Sequence, residues 1–453
     1  MTSTDETQSE AHRLFRAVPG HESKRHRGPG DDGQPIGVEA PGSTGTPELS
    51  WANFGQGAPE VGEIPGASER PTSIPVDTTL NEYGPVTGVS ELREAVAHLY
   101  NETYRKGKHS LYTKDNVCIV PGGRAGLTRV ASVIGDYFVS YQIPEYTAYD
   151  QMLSSFRRLV PIPTVLDRED AYHLNIDKLE EEVRKQGLSV VVASNPRNPT
   201  GQVVKGRELE RLVHLARQGT TVILDEFYSW YQYDLEEGGC VSASEFVEDV
   251  DVDPVVIIDG LTKNWRLPGW RCCWVVGPQN LIKALGQSGS FLDGGASHPT
   301  QMAAVPLLEP ERVHQDRIAL QQHFKAKRDF VLSRLEEMGL RVENKPTSTF
   351  YIWLDLSQLP PPLDSGLTFF EELLKEKVIV VPGQFFDLNP GHRRNLFDSP
   401  CHSFVRLSYG PPMEEVARGL DGIERLLHRV REAVESGKDL HDVVGKDLKQ
   451  LNQ

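Results

Sequence analysis

Seven short apolar runs between residues 116 and 277 fail to alternate, and that limits what this chain can fold into. They are "NVCIVPGG", "FVSYQIP", "RLVPIPT", "LSVVVASNP", "TTVILDEFY", "PVVIIDGLTK" and "RCCWVVG". A strand with one wet face alternates apolar and polar residues; an unbroken Val/Ile run is covered on both faces. Patterns of helical period separate the runs, among them "RAGLTRVASVIG" and "RELERLVHLARQG", the second closed by a Gly. Strands alternating with helices predict an α/β fold, a mostly parallel seven-stranded-type sheet flanked by helices. Ligands of such sheets bind beyond the carboxyl ends of the strands. The polar punctuation falls at those ends, at Gly122-Gly123, Asn195 to Asn198, Asp225-Glu226 and Thr262-Lys263.

From Val313 to Met338 runs a long helical pattern, followed by "FYIWLDL", a helix around Phe369 to Lys375, "VIVVPG" and "FVRLSYG". This reads as a smaller α+β domain over 313–432, joined by the long helix to a large domain over 83–312. Residues 48–82 read as an N-terminal segment packing with the small domain. Residues 1–47, rich in Gly, Pro, Ser and charge, read as a disordered tail, and 433–453 as a polar C-terminal tail.

The 453 residues carry 48 Lys+Arg against 64 Asp+Glu, a formal net charge of −16. Such a surface repels phosphate backbones, so nucleic acid is not expected as a partner. The basic "SKRHR" near the start reads either as a nuclear signal or, more simply, as part of a solvated tail. No run of about 18 apolar residues exists, so no membrane span is expected. The polar, acidic start lacks the apolar core of a signal peptide. Cys118, Cys240, Cys272, Cys273 and Cys401 are odd in number and irregular in spacing, without C-x-x-C or H-E-x-x-H. Neither a disulfide framework nor a metal site is expected, and a cytoplasmic location fits. Cys272 and Cys273 read as packing residues on opposite faces of one strand.

Taken singly, each strand end has a bland reading. "SNPRNPTGQVV", Ser194 to Val204, is rich in turn residues. Gly122-Gly123-Arg124 before a helix is a turn, or a phosphate seat made of backbone N–H groups and a positive helix end. Asp225 is a helix cap or a functional carboxylate, and Lys263 a surface residue or a functional amine. Arg406, inside an apolar strand, needs an anion from the protein or from a ligand.

Taken in order, the motifs resemble the class I/II aminotransferases, pyridoxal-phosphate enzymes of fold type I. The resemblance covers roughly residues 50 to 430. It rests on "NFGQGAP", "YGPVTGVSELREAV", "PEYTAYD", "NPRNPTG", "DEFY", the eight-residue step from Lys263 to Arg271 in "K…PGWR", and "VRLSYG". It implies that Lys263 holds pyridoxal 5'-phosphate as a Schiff base, its amine kept partly neutral by nearby cations. Asp225 would face the pyridine nitrogen and keep it protonated, which lets the ring accept electrons. Tyr228 and Asn198 would hydrogen-bond the ring's phenolic oxygen, and Tyr146 would stack on the ring. The phosphate would sit on Gly123 and Arg124, with Arg271 as counter-charge and Thr262 adding a hydroxyl. Tyr83 would reach the phosphate of a neighbouring subunit, making a homodimer with shared active sites. Arg406 would grip the substrate α-carboxylate with its planar fork, beside the Gly57 backbone and Asn198.

The implied reaction moves an amino group from an α-amino acid to a 2-oxo acid. Related reactions on the same fold (elimination, decarboxylation, cyclisation, oxidase chemistry) and a non-catalytic binding module are the alternatives. Two positions depart from the family pattern. Gly260 stands where many relatives have Ser. Arg197 stands where many have Asn or a small residue, and reads as a substrate contact or, more simply, a surface turn residue. Trp230, Tyr231, Trp265 and Phe385 read as core or as the lining of a large pocket.

Overall fold

The computed structural model describes residues 50–444 apart from Asp136. The tail expected over 1–47, with its "SKRHR" run, and residues 445–453 lie outside the described residues. The chain forms two units. The larger comprises Ala58–Asp329 and Asn344–Tyr351; the smaller comprises, among described residues, 50–57, Phe330–Glu343 and 352–444.

In the larger unit all seven apolar runs are strands: β1 (Val117–Val120), β2 (Tyr137–Ile143), β3 (Leu159–Val165), β4 (Val190–Ser194), β5 (Thr221–Asp225), β6 (Val255–Gly260) and β7 (Cys273–Val276). They form one sheet in the order β1-β7-β6-β5-β4-β2-β3. Strand β7 runs antiparallel to both its neighbours, β1 and β6, and the remaining pairs are parallel. Every residue of β1, β4, β6 and β7 is buried, which is why those runs carry no alternation. Among the described residues strand β3 ends the sheet, and it carries Pro161 and Pro163, which cannot donate to a further strand. The helix Gly123–Val133 follows β1 and lays Gly126 against Val120, Ile258 and Val275.

Residues 58–70 are fastened within this larger unit. Arg266 donates to the carbonyls of Glu60 (3.1 Å) and Gly62 (2.7 Å). Lys327 and His323 both meet the Glu60 carboxylate, at 2.5 and 2.7 Å. The division of the chain therefore falls at Gly57/Ala58, ahead of the 82/83 boundary expected from sequence. It also falls inside the long helix Pro310–Glu337, between Asp329 and Phe330.

The smaller unit is α+β. Val381–Pro382, Phe404–Ser408 and Tyr351–Asp355 line up as a three-stranded sheet, its last strand beginning at the unit boundary. Ala52–Asn53 pairs in parallel with Val378–Ile379. The helix Met413–Glu435 buries Val416, Leu420, Ile423, Leu427 and Val430 along one stripe. A short helix, Leu440–Val443, follows it. No helix among the described residues is long and apolar enough to cross a membrane.

Candidate active site

Three adjacent parallel strands, β4, β5 and β6, end side by side in the larger unit. Ser194 pairs with Asp225, and Asp225 with Ile258, two residues before the end of β6. Asp225 is buried and accepts a long hydrogen bond from the Phe227 N–H, 3.4 Å. Burial pushes its carboxyl up to about 7; the Phe227 N–H opposes this, Glu145 adds to it, and the Lys263 ammonium opposes it.

Lys263 lies in the turn that follows β6. Its carbonyl accepts from the Tyr231 hydroxyl (2.9 Å) and the Arg266 N–H (3.0 Å). Next to it, the Asn264 amide donates to both Asp259 oxygens (3.1 Å each) and to Ser229 Oγ (3.0 Å). The Trp230 N–H donates to Asn264 Oδ1 at 3.3 Å. The turn is thus held by side chains from β6 and from the chain after β5. Trp230, Tyr231 and Trp265 are all buried; Trp230 and Trp265 have ring centroids 4.2 Å apart. These three are core residues, one of the two readings open from sequence.

The asparagines after β4 divide their work. Asn195 closes the loop on itself: its Nδ2 donates to the Val204 carbonyl (2.9 Å) and its Oδ1 accepts the Val204 N–H (2.8 Å). The Arg197 N–H donates to the Gln202 carbonyl (2.8 Å), and the Gly201 N–H to the Arg197 carbonyl (2.9 Å). The Gly201 carbonyl accepts the N–H groups of Thr347 (3.1 Å) and Ser348 (3.0 Å). This cross-braced loop presents Asn198, buried, with its N–H on Ser194 Oγ at 3.2 Å. Arg197 is not a surface residue. It is buried and ion-paired with Glu145, so the simpler sequence reading is corrected. A buried carboxylate on the preceding loop supplies the anion that a buried guanidinium requires.

At the end of β1, Gly122 caps the helix Gly123–Val133 with φ 103°, a backbone region that disfavours side chains. A Cβ there would overlap the Arg271 guanidinium, so the helix N-terminus and Arg271 converge on one spot. Arg124 Nε lies 3.4 Å from the Tyr146 hydroxyl. Gly260 has no space for a side chain, because a Cβ would run into the Cys273 backbone and thiol on β7. Thr262 Oγ1 lies 3.2 Å from Cys273 Sγ. Both Cys272 and Cys273 are buried, as read from sequence.

Tyr228 is buried, and its hydroxyl lies 2.7 Å from that of Tyr351. Tyr83 is 96% exposed. In the smaller unit, the buried Arg406 donates to the Gly55 carbonyl (2.9 Å), two residues before Gly57, and lies over the Phe386 ring (4.9 Å). Two residues escaped the sequence reading. Glu145 was legible only as an acid directly past a buried strand, and Tyr351 only as a tyrosine in "STFYIW".

The chain matches the family model for aminotransferase class I and II over residues 50–423. It is similar to an aspartate aminotransferase of Pyrococcus abyssi, 27% identical over 78% of this chain and 85% of that one. It is similar to aromatic-amino-acid aminotransferase 2 of Thermococcus litoralis, 28% identical over 78% and 85%. Among solved structures, a Thermus thermophilus aspartate aminotransferase mutant superimposes with a TM-score of 0.68 at 20% identity, covering 94% of this chain and 97% of that one. An aromatic aminotransferase from Pyrococcus horikoshii does so with 0.68 at 23% identity, over 84% and 96%.

Proposed function

We propose the following roles on the premise that this chain belongs to the class I and II aminotransferase family, and is a pyridoxal-phosphate-dependent transferase acting on amino acids. The residues of the larger unit fit that cofactor. A buried carboxylate, Asp225, with a long hydrogen bond from the Phe227 N–H, has the charge to receive a cationic ring N–H. A helix N-terminus capped by a glycine that must lack a Cβ, with Arg271 beside it, suits a dianion.

When bound, the cofactor supplies an aldehyde that condenses with amines and a ring that accepts the electron pair left on Cα. Lys263 Nζ would hold it covalently. Asp225 would bind the ring nitrogen, Tyr228 and Asn198 the phenolic oxygen, and Tyr146 the ring face. Gly123, Arg124, Thr262 and Arg271 would hold the phosphate. Arg406, Asn198 and the Gly57 backbone would orient the amino acid by its α-carboxylate. Lys263 Nζ, once displaced by the substrate amine, would take the Cα proton and later return it. The acceptor is a 2-oxo acid. The exposed Tyr83 would complete the phosphate site of a second copy in a homodimer. The buried free thiols Cys118, Cys272, Cys273 and Cys401 favour a reducing cytoplasm.

The observation that carries this reading is the placement of Lys263 and Asp225 at the ends of neighbouring strands, close enough for the ammonium to bear on the carboxylate. The test is borohydride reduction of the reconstituted protein followed by peptide mapping, with product identification by mass for a panel of amino acids and 2-oxo acids. Label on Lys263 and an acceptor-dependent 2-oxo acid product are expected. Label on another lysine would overturn the assignment.

A further inference from the structure

A fully buried carboxylate with no role of its own assigned toward the cofactor stands at the junction of the cofactor loops. Glu145 Oε1 accepts the Tyr146 N–H at 2.8 Å, and Oε2 the Ser194 N–H at 3.1 Å. It also accepts the Ser194 hydroxyl and is ion-paired with Arg197 Nη1. Ser194 Oγ in turn accepts the Asn198 N–H at 3.2 Å. One side chain therefore ties the residue read as the ring stacker, the last residue of β4 and the amide read as the phenolic-oxygen partner. Ser194 is also the register partner of Asp225, and the Asn195 N–H donates to the Asp225 carbonyl at 2.9 Å. The tie thus lies alongside the carboxylate read as the partner of the ring nitrogen.

We propose that the buried Glu145–Arg197 pair is a positioning pair for the cofactor ring. Glu145 ties Tyr146, Ser194 and Asn198 into one frame. Arg197 keeps that tie from setting an uncompensated negative charge beside Asp225. The inference rests on the reading above that Asp225 receives the ring nitrogen. The groups bearing on the Asp225 carboxyl are the Phe227 N–H, Glu145, Tyr149 and Lys263, with Glu226 and Asp259 as further buried acids. Glu145 is the member of that set with a dedicated cationic partner of its own. Burial pushes the Glu145 carboxyl above the ordinary range, and Arg197, Ser194 and the Tyr146 N–H oppose that push.

The test measures the affinity of pyridoxamine 5'-phosphate, which cannot condense with Lys263, for the full-length cofactor-free protein from about pH 5.5 to about pH 9. Wild-type binding is expected to weaken on the acid side as Asp225 takes up a proton, with a midpoint of about 7. Glu145→Gln leaves Arg197 uncompensated and is expected to move that midpoint down by about one unit, so binding at about pH 6 tightens roughly fivefold relative to its own plateau. Arg197→Met is expected to move it up. The double variant is expected to return it to within about 0.3 units of wild type, because the charges cancel. Thermal melts establish that each variant folds. If Arg197→Met does not, Glu145→Gln against the double variant still decides. A pair that only braces the loops would weaken binding at all pH values and leave the midpoint unmoved; that result, or shifts of one sign in both single variants, overturns the proposal. Asp225→Asn is the control. If it keeps the wild-type acid limb, the role of Asp225 is wrong and this inference goes with it; if it loses the limb while Glu145→Gln leaves the midpoint in place, only this inference fails.

Discussion

The hydroxyls of Tyr228 and Tyr351 lie 2.7 Å apart in the buried interior of the larger unit. One hydroxyl must donate to the other. If Tyr351 donates, Tyr228 keeps its own proton for the ring oxygen and becomes a stronger donor through the chain of bonds. Tyr351→Phe is then expected to raise the pH midpoint of the bound cofactor's visible absorption change, in the direction of Tyr228→Phe but by less. A neutral hydrogen bond is worth about 0.5–1.5 kcal/mol, so kcat/KM should fall by no more than about tenfold. An unmoved midpoint in Tyr351→Phe beside a moved one in Tyr228→Phe would show that Tyr351 does not support the donor.

The buried Asp225 carboxyl costs the folded chain stability. Burial pushes it up to about 7 in the folded chain, from the ordinary 3.8 it has unfolded. Between those values the folded state holds a proton that the unfolded state has lost, so stability falls as pH rises from about 4 to about 7. Above 7 the full cost is present, on the order of 4 kcal/mol for this buried group. Asp225→Asn is therefore expected to melt several degrees higher than wild type at pH 8 when both lack cofactor, with the gap closing toward pH 4. Its turnover should fall by several powers of ten, each about 1.4 kcal/mol of barrier. A melting difference independent of pH would contradict the assignment.

Placing a serine at position 260 is expected to harm this protein. Cys273 on β7 fills the space a side chain would need. Gly260→Ser should lower the melting temperature and weaken cofactor affinity, while the paired change with Cys273→Gly should recover part of both. Gly122→Ala probes the other tight spot. Its Cβ meets Arg271 at a φ of 103°, so cofactor affinity should drop well over tenfold, read by dialysis and reconstitution.

Shared sites are tested by mixing defects. If the proposed homodimer shares its sites, Lys263→Ala and Tyr83→Phe each damage one contribution to a composite site. In mixed dimers one site receives both defects and the other neither. Activity should return toward about half of a wild-type dimer, provided Tyr83→Phe alone is strongly impaired; one hydrogen bond to a charged group is worth about 1.5–3 kcal/mol. No recovery in verified mixed dimers would show that each chain builds its site alone.

Strands β1, β4, β6 and β7 were legible because burial on both faces leaves an unbroken apolar run, a local signal. Strand order was not. The antiparallel insertion of β7 between β1 and β6 depends on contacts far apart in sequence. The placement of Lys263, Asp225 and Asn198 at strand ends was legible because their motifs adjoin the strands directly. Glu145 and Tyr351 were missed because their partners lie 52 and 123 residues away, at Arg197 and Tyr228. Arg197 was misread for the same reason: among turn residues an arginine looks solvated until its acid is found.

The two carbonyl hydrogen bonds at Gly201 carry a consequence for biosynthesis. The residues that brace it, Thr347 and Ser348, belong to a short segment that rejoins the larger unit after the chain has left it. A ribosome adding about 5–20 residues per second finishes all seven strands several seconds before it reaches that segment. A nascent chain stopped ahead of Asn344 would own the complete sheet, Lys263 and Asp225, yet lack the brace under Asn198 and the partner of Tyr228. On the proposed roles of Asn198 and Tyr228, competence to hold the cofactor in its final geometry would be timed to late translation, whatever the order in which the strands themselves collapse.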